Sequence, residues 1–503
     1  MIQINKKLLF KVMLFSSVAL TGCSKSFLNV NKDPNRVTDD NVTAELIFPQ
    51  AANAVGQRQV GFGFLDTWMG YFAPNGAYVP QQDLISYNID FSFSNATYGN
   101  HFSVLYDLHQ AEVKGLATGD TALSGASIVM EAKLYQELVD LFGNVPYSQA
   151  FQSNTHATPA YDKAQDIYKA LQLRLDTAIK YLGYPVKKAF TKADIVNGGN
   201  TGKWIKFANT LKLRLLIRQS EVSGFDPSAE IAKIGPAANL LGAGESIAVN
   251  PGYSNDVNKQ NSFYSVNGWD PTGAVSNQST DANAYIINLL NGDPRLSQFW
   301  YPVGFKGTNY TGGVFGDLQV NIPIASGLSY YGPALVGGIT SGNVGDGSGA
   351  KQDQWIYPSY ESMFLYAEAV ARGWFSGISA SQAYQNAVTE SFVWLKVPSA
   401  SVAAADYLTN HPLPAGSAHD VSKFMALEKY KALCGIDPVE AYSDLRRLNM
   451  LTDLSYISVA VSKISSTLPV RLPYPQTEYT SNSVNALKEG TINIFTAKLF
   501  WQP

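Results

Sequence analysis

Glycine divides this chain more sharply than any other feature of its sequence. Residues 242–350 hold 19 of the 41 glycines in 109 positions, about twice their share. Each glycine inside a helix costs up to about 1 kcal/mol relative to alanine, so helices of ordinary length cannot persist there. Loops and short strands are predicted instead. The same stretch carries Tyr253, Trp269, Trp300, Tyr301, Tyr310, Tyr330 and Tyr331. So many large rings argue for an ordered insertion and against a disordered linker.

Helical periodicity governs the blocks on either side. Ile128, Ala132, Tyr135, Val139 and Phe142 recur at three- and four-residue steps, which places them on one helix face. Gly143-Asn144 and then Pro146 stop that helix. Ile167, Leu171, Leu175, Ala178 and Leu182 make a second stripe. Trp204, Phe207, Leu211, Leu215 and Arg218 make a third, with Lys212, Arg214 and Arg218 at its polar positions. Leu65, Trp68, Met69 and Phe72 read as a helical core stripe ended by Gly70, Pro74, Gly76 and Pro80. After the insertion, Met363, Tyr366, Ala369 and Val370 face one way, and Ala383, Ala387, Val388 and Phe392 form the next helix beyond Gly373 and Gly377. This pair resembles a tetratricopeptide hairpin, although the 34-residue pattern is only loosely met. Phe424, Leu427, Tyr430 and Lys431 begin another helix, and Asp437-Pro438 starts one more, proline being suited to a first turn. The tail, with Pro469, Pro473 and Pro475, reads as extended chain and turns.

The first residues point to export. Lys6, Lys7 and Lys11 precede an apolar run from Val12 to Leu20, and Leu20-Thr21-Gly22-Cys23 follows. That is the layout of a secretory signal, too short for a stable membrane span. Its last four residues resemble a bacterial lipobox, in which the cysteine is lipidated and the chain is cut before it. An ordinary signal with a chance cysteine is the alternative. Several acyl chains on Cys23 suffice to anchor a protein, at about 0.8 kcal/mol per buried methylene. Ser24 follows in place of the aspartate associated with inner-membrane retention, which points to the outer membrane. The other cysteine, Cys434, reads as a small buried apolar residue at a helix end. A net charge of −3, becoming −6 once residues 1–22 and their three lysines are removed, offers no basic footprint for nucleic acid.

The motifs of several chemistries are missing. Gly345-Asp346-Gly347-Ser348-Gly349 lacks the spacing of a phosphate loop, and neither H-E-x-x-H nor G-x-S-x-G occurs. The five histidines, His101, His109, His156, His411 and His419, lack metal-ligand spacing with a cysteine. No metal or other cofactor is expected. Asp83, Asp256, Asp270 and Asp317 are loop carboxylates that a glycoside hydrolase could use in pairs, but loop aspartates more often make turns. No catalytic residue is assigned.

Several segments resemble the SusD-like (SusD/RagB) family of outer-membrane nutrient-binding lipoproteins, in its divergent second branch. Phe27-Leu28-Asn29-Val30-Asn31-Lys32-Asp33-Pro34-Asn35 is similar to the family's opening. Leu141-Phe142-Gly143-Asn144-Val145-Pro146-Tyr147 matches a G-D-V-P-Y helix end, with Asn144 for the usual aspartate. Lys203 to Arg214 is similar to the third helix. Gly292-Asp293-Pro294-Arg295, Tyr366-Ala367-Glu368-Ala369, Asp444-Leu445-Arg446-Arg447, Arg471 to Tyr479 and Phe500-Trp501 follow in order. Tyr442 and Met450 depart from the family pattern in scaffold segments, and Ser24-Lys25-Ser26 replaces the acidic surface-export signal of some members.

The resemblance implies a mainly α fold: a tetratricopeptide-like scaffold of helix pairs with a large loop-rich insertion and short strands. A signal peptide would cover 1–22 and a tether 23–40. A single domain would cover 41–503, with scaffold at 41–222 and 355–450, insertion at 223–354, and an extended segment at 451–503. It implies a lipid-anchored outer-membrane protein, displayed at the cell surface. Such a protein captures oligosaccharide, or in some members peptide, for a SusC-like TonB-dependent transporter. Arg446 and Arg447 are expected to bind carboxylates or helix carbonyls inside the scaffold.

Sugars offer flat C–H faces and many hydroxyls, so a capture site needs exposed rings beside amides or charges. Residues 68–87 and the glycine-rich insertion both supply that mixture, and in the family they meet on one surface. Asn75, Tyr78, Trp269, Tyr330 and Tyr331 are therefore the expected ligand contacts.

Overall fold

The computed structural model describes residues 42–75, 82–317, 327–451 and 456–503. The signal segment, the tether, Cys23 and Tyr78 lie outside the described residues. Residues 44–503 form one compact unit, and helices dominate it. The long ones are α1 (Ala44–Gln57), α3 (Asn95–Thr118), α4 (Thr121–Phe142), α5 (Ala164–Leu182) and α6 (Thr201–Arg218) before the insertion. After it come α8 (Ser359–Ala371), α9 (Ala380–Trp394), α10 (Ala400–Asn410), α11 (Ala418–Ala432) and α12 (Pro438–Arg447). Two short helices matter to the site: α2 (Gly63–Trp68) and α7 (Ser262–Asn267).

Local chemistry sets the helix ends. Asp120 caps α4 by accepting from the Leu123 amide at 3.2 Å, satisfying an amide that the first turn leaves without a helical partner. Asn200 does the same for α6 through Lys203, and Asp437 for α12 through Glu440, with Pro438 in the first turn as its sequence predicts. Gly143 ends α4 at a φ of 82°. Helix α3 packs on α4, α4 on α5, α5 on α6, and α8 on both α9 and α11.

At the centre lies α4, and it corrects the one-sided stripe read from its sequence: nearly all its residues are buried. Its polar residues survive there because each meets a partner, as buried charges must. Glu137 takes Arg58 at 2.9 Å and also Lys133. Gln136 accepts from Arg214 at 2.9 Å, and Asp140 from Arg218 at 3.0 Å and Trp501 at 3.0 Å. Lys212, Arg214 and Arg218, read as polar positions of α6, are buried too. Arg218 also reaches Glu440, which holds Lys429 at 2.8 Å. Arg447 clamps Glu368 at 2.7 and 2.8 Å, while Arg446 donates to the carbonyls of Tyr442 and Val470. Guanidinium forks thus pin α4, α6, α8 and α12 together.

Three more expectations need correction. The stripe at Leu65–Phe72 is not one helix: α2 stops at Trp68, Gly70 turns the chain at a φ of 67°, and Phe72 belongs to a strand. On α8, Met363 and Tyr366 are only half-buried while Phe364, Leu365 and Glu368 face inward. The tail contains helical turns at Gln476–Ser481 and Ser483–Lys488.

The glycine-rich insertion is built as its composition predicts, from loops, helices of four to six residues and two-stranded pairs. Phe72–Pro74 pairs antiparallel with Thr280–Ala282, Ile247–Val249 with Gln354–Tyr357, and Trp300–Tyr301 with Tyr330–Tyr331. Glycine is needed here for close approach. A Cβ on Gly345 would meet the ring of Trp269 at 2.5 Å, and one on Gly349 would strike the Val336 carbonyl. Among the described residues, no helix is long and apolar enough to cross a membrane.

Candidate functional site

The pairing of Phe72–Pro74 with Thr280–Ala282 brings the two regions singled out in the sequence together. Between them opens a cleft of about 550 Å³. One wall is Gln59 to Asn75, and the other is Phe263 to Thr280, carried by α7 and the loop after it. Phe93, Ala96 and Thr97 close the end. Phe64 and Phe93 are half-buried rings in this wall, packed edge to face at 5.2 Å, and Trp68 stacks behind Phe93 at 5.8 Å.

Asn75 lines the cleft. Its amide N–H donates to the Ser279 carbonyl at 2.8 Å, and its Nδ2 donates to Asp281 Oδ2 at 2.8 Å. Burial raises the Asp281 carboxyl to about 7, and the Asn75 bond only partly offsets that. Asn277 organises the opposite lip. Its Nδ2 donates to Asn267 Oδ1 at 2.8 Å and Thr280 Oγ1 at 2.6 Å, and its Oδ1 accepts from the amides of Ser279 and Thr280. The cleft wall is therefore a row of amides and hydroxyls held by one another, with ring edges beside them.

Trp269, Tyr330 and Tyr331 are 1%, 0% and 0% exposed, which corrects the expectation that they stack on a ligand. They are pillars of the insertion. Trp269 meets Tyr330 edge to face at 5.4 Å. Tyr330 Oη donates to the carbonyls of Asn267 and Gly268 at 2.6 and 2.9 Å, fixing the end of α7. Tyr331 meets Phe72 at 5.0 Å, and its hydroxyl lies 2.8 Å from Thr280 Oγ1. A loop of this size must bury its own rings to offset its ordering entropy, and these are the ones it buries. They shape the cleft from behind.

Sequence reasoning missed Phe64, Phe93, Asn277, Thr280, Gln59 and Asp66. A signal existed for Asp66. It sits at helical spacing between Phe62 and Met69 on an otherwise apolar face, and the structure buries it to 3% exposure on the cleft floor. Burial, and secondarily the charge of Asp437, holds its carboxyl well above the usual range. Asp270 and Asp256 do what loop aspartates commonly do. Asp270 accepts from Thr272 and Ala274, and Asp256 accepts from Ser254. Among the described residues, Asp66 is the one carboxylate lining the cleft, whereas glycoside hydrolysis requires a pair.

A metal could be considered at His109, Glu112 and Glu131, whose ligand atoms lie within 4.8 Å of one another. Arg174 already holds both carboxylates, at 2.5 Å from Glu112 and 3.3 Å from Glu131. The guanidinium supplies the charge that a cation would bring.

A profile of the second SusD-like family, described as starch-binding and associating with the outer membrane, matches residues 35–475. No curated protein sequence matches the chain. Solved structures resemble it over nearly their whole length. A chitin-binding protein is 24% identical with a TM-score of 0.70, covering 91% of this chain and 99% of that one. A chitin-binding SusD homolog from Flavobacterium johnsoniae is 19% identical with a TM-score of 0.72, covering 91% and 98%. A SusD homolog from Bacteroides fragilis is 18% identical with a TM-score of 0.70, covering 92% and 100%.

Proposed function

We propose that this chain, which belongs to the SusD-like family, captures oligosaccharide in the cleft between α2 and α7. On this reading it holds its ligand without chemically changing it. The family is one of binding proteins associated with the outer membrane. The observation that carries the reading is the wall just described: planar amides at Asn75, Asn267 and Asn277 beside the ring edges of Phe64 and Phe93. Such a wall supplies hydrogen bonds for hydroxyls and a surface for the C–H faces of a pyranose. The amides are already oriented by the protein, so little ordering entropy is lost on binding.

Two structures of similar fold are described as chitin-binding, which makes N-acetylglucosamine oligomers the first ligands to try. The lipobox at Cys23 supports anchoring by acyl chains on the outer membrane, and the family resemblance supports display at the cell surface. The family resemblance supports delivery to a SusC-like TonB-dependent transporter. Calorimetry with chitin, starch and cellulose oligosaccharides tests the capture. Asn75→Ala is expected to weaken binding at least about tenfold, since a lost amide leaves hydroxyls unpaired at roughly 1–2 kcal/mol. Undiminished affinity in that variant refutes the placement.

A further inference from the structure

Two residues lining the cleft each carry a buried polar atom with no hydrogen-bond partner among the described residues. Oδ1 of Asp66 is buried without one; the unpartnered oxygens of Glu131, Glu361 and Asp444 belong to carboxylates that an arginine already holds, and no ion pair is found for Asp66 among the described residues. Nε2 of Gln59, a donor, is likewise buried and unpartnered. Both residues line the same cleft. A buried polar group left unsatisfied costs about 1–3 kcal/mol, and protein interiors rarely retain one without a reason. Here an acceptor and a donor of that kind belong to two residues that line one cleft.

The charge around them is equally informative. Among the described residues, no lysine or arginine lines the cleft, and nearby Arg58 is engaged by Glu137 at 2.9 Å. Beneath the floor, Asp281 carries another oxygen without a partner. A ligand carboxylate or sulfate entering this cleft would leave water with no cationic side chain to receive it, and an unpaired charge taken out of water is costly.

We infer that Asp66 and Gln59 form the specificity-determining floor of the cleft, reading a neutral saccharide and excluding acidic ones. The inference rests on the cleft being the capture site. Asp66 meets a hydroxyl or an acetamido N–H of the sugar, and Gln59 Nε2 donates to a hydroxyl or carbonyl oxygen of the same ligand. Groups left unsatisfied in the empty protein become satisfied only when the ligand arrives. That is a stability cost accepted for function.

The test pairs calorimetry with thermal unfolding of the purified protein, using neutral chitin, starch and cellulose oligosaccharides against oligogalacturonate. Wild-type protein is expected to bind a neutral oligomer and to show no heat with the acidic one. Asp66→Ala and Gln59→Ala should each lose about tenfold or more in affinity. Asp66→Asn, which keeps an acceptor and a donor, should recover to within about threefold. Unlike a structural residue, Asp66 should leave the melting temperature of the empty protein unchanged or higher when replaced. Wild-type affinity in Asp66→Ala combined with lost binding in Asn75→Ala would overturn the inference and leave the capture site standing. So would tight binding of oligogalacturonate, or a binding loss that only tracks a fall in melting temperature. Failure of the wild-type protein to bind any saccharide would sink both.

Discussion

Replacing Asp281 with asparagine should change how stability depends on pH in a way that can be worked out beforehand. Asp281 is fully buried beneath Asn75, which donates to Oδ2 at 2.8 Å, while Oδ1 has no partner. Burial raises this carboxyl from 3.8 to about 7. A raised carboxyl binds its proton more tightly in the folded state than in the unfolded chain. Its folded form is therefore fully favoured below about pH 4, and that advantage is lost as pH rises towards 7. At 1.36 kcal/mol per pH unit, the gap of roughly three units amounts to about 4 kcal/mol between pH 4 and pH 8. Asparagine cannot ionise, so it escapes this loss. It keeps an acceptor for Asn75 and adds an N–H pair without a partner, at about 1–3 kcal/mol. That cost is independent of pH and offsets the curve without bending it. Guanidinium unfolding of both proteins at pH 4, 5.5, 7 and 8, at fixed ionic strength, measures the difference directly. The variant should gain on the wild type by up to about 4 kcal/mol across the range. A difference that stays constant with pH would refute the reasoning.

Other perturbations read other parts of the account. Arg218→Met removes the guanidinium that Asp140 and Glu440 share in the core and should cost about 3–5 kcal/mol in chemical denaturation; a loss below about 1 kcal/mol would contradict the buried network. Trp269→Ala removes a buried ring that braces Tyr330 and Phe305 and should cost about 3–5 kcal/mol, with faster amide exchange concentrated in residues 262–283. Exchange unchanged in that segment would contradict the pillar role. Cys23→Ala should abolish incorporation of labelled palmitate and release the protein from membranes, and continued labelling would contradict lipidation at Cys23.

The scaffold was legible in the sequence because amphipathic periodicity and capping residues are local signals. The stripes at Ile167–Leu182 and Trp204–Leu215, the stop at Gly143 and the start at Asp437-Pro438 all depend on residues within a turn or two of one another. Helix α4 was misread as one-sided because its buried charges are satisfied from far away, by Arg58, Arg214 and Arg218. A polar residue paired across the core is indistinguishable, in one sequence, from a solvated one. The same blindness affected the site. Aromatic residues in a glycine-rich loop have two uses, to grip a ligand or to hold the loop down, and composition does not separate them. Trp269, Tyr330 and Tyr331 hold the loop down. The two regions pair with each other, as the family resemblance implies, and Asn75 lines the cleft between them; glycine and proline mark only where the loops begin and end. The orientation of Tyr330 and Tyr331 depends on their strand's pairing with Trp300–Tyr301, and the shape of the cleft on the pairing of Phe72–Pro74 with Thr280–Ala282, neither of which a local pattern announces.

The most direct test of the capture site is a crystal structure with a bound oligosaccharide, taken with the longest chitin, starch or cellulose oligomer that binds in solution. Electron density for the sugar is predicted between α2 and α7, within hydrogen-bond distance of Asn75 and Asp66 and against Phe64 or Phe93. Density on another face of the protein, with this cleft filled only by solvent, would contradict the account.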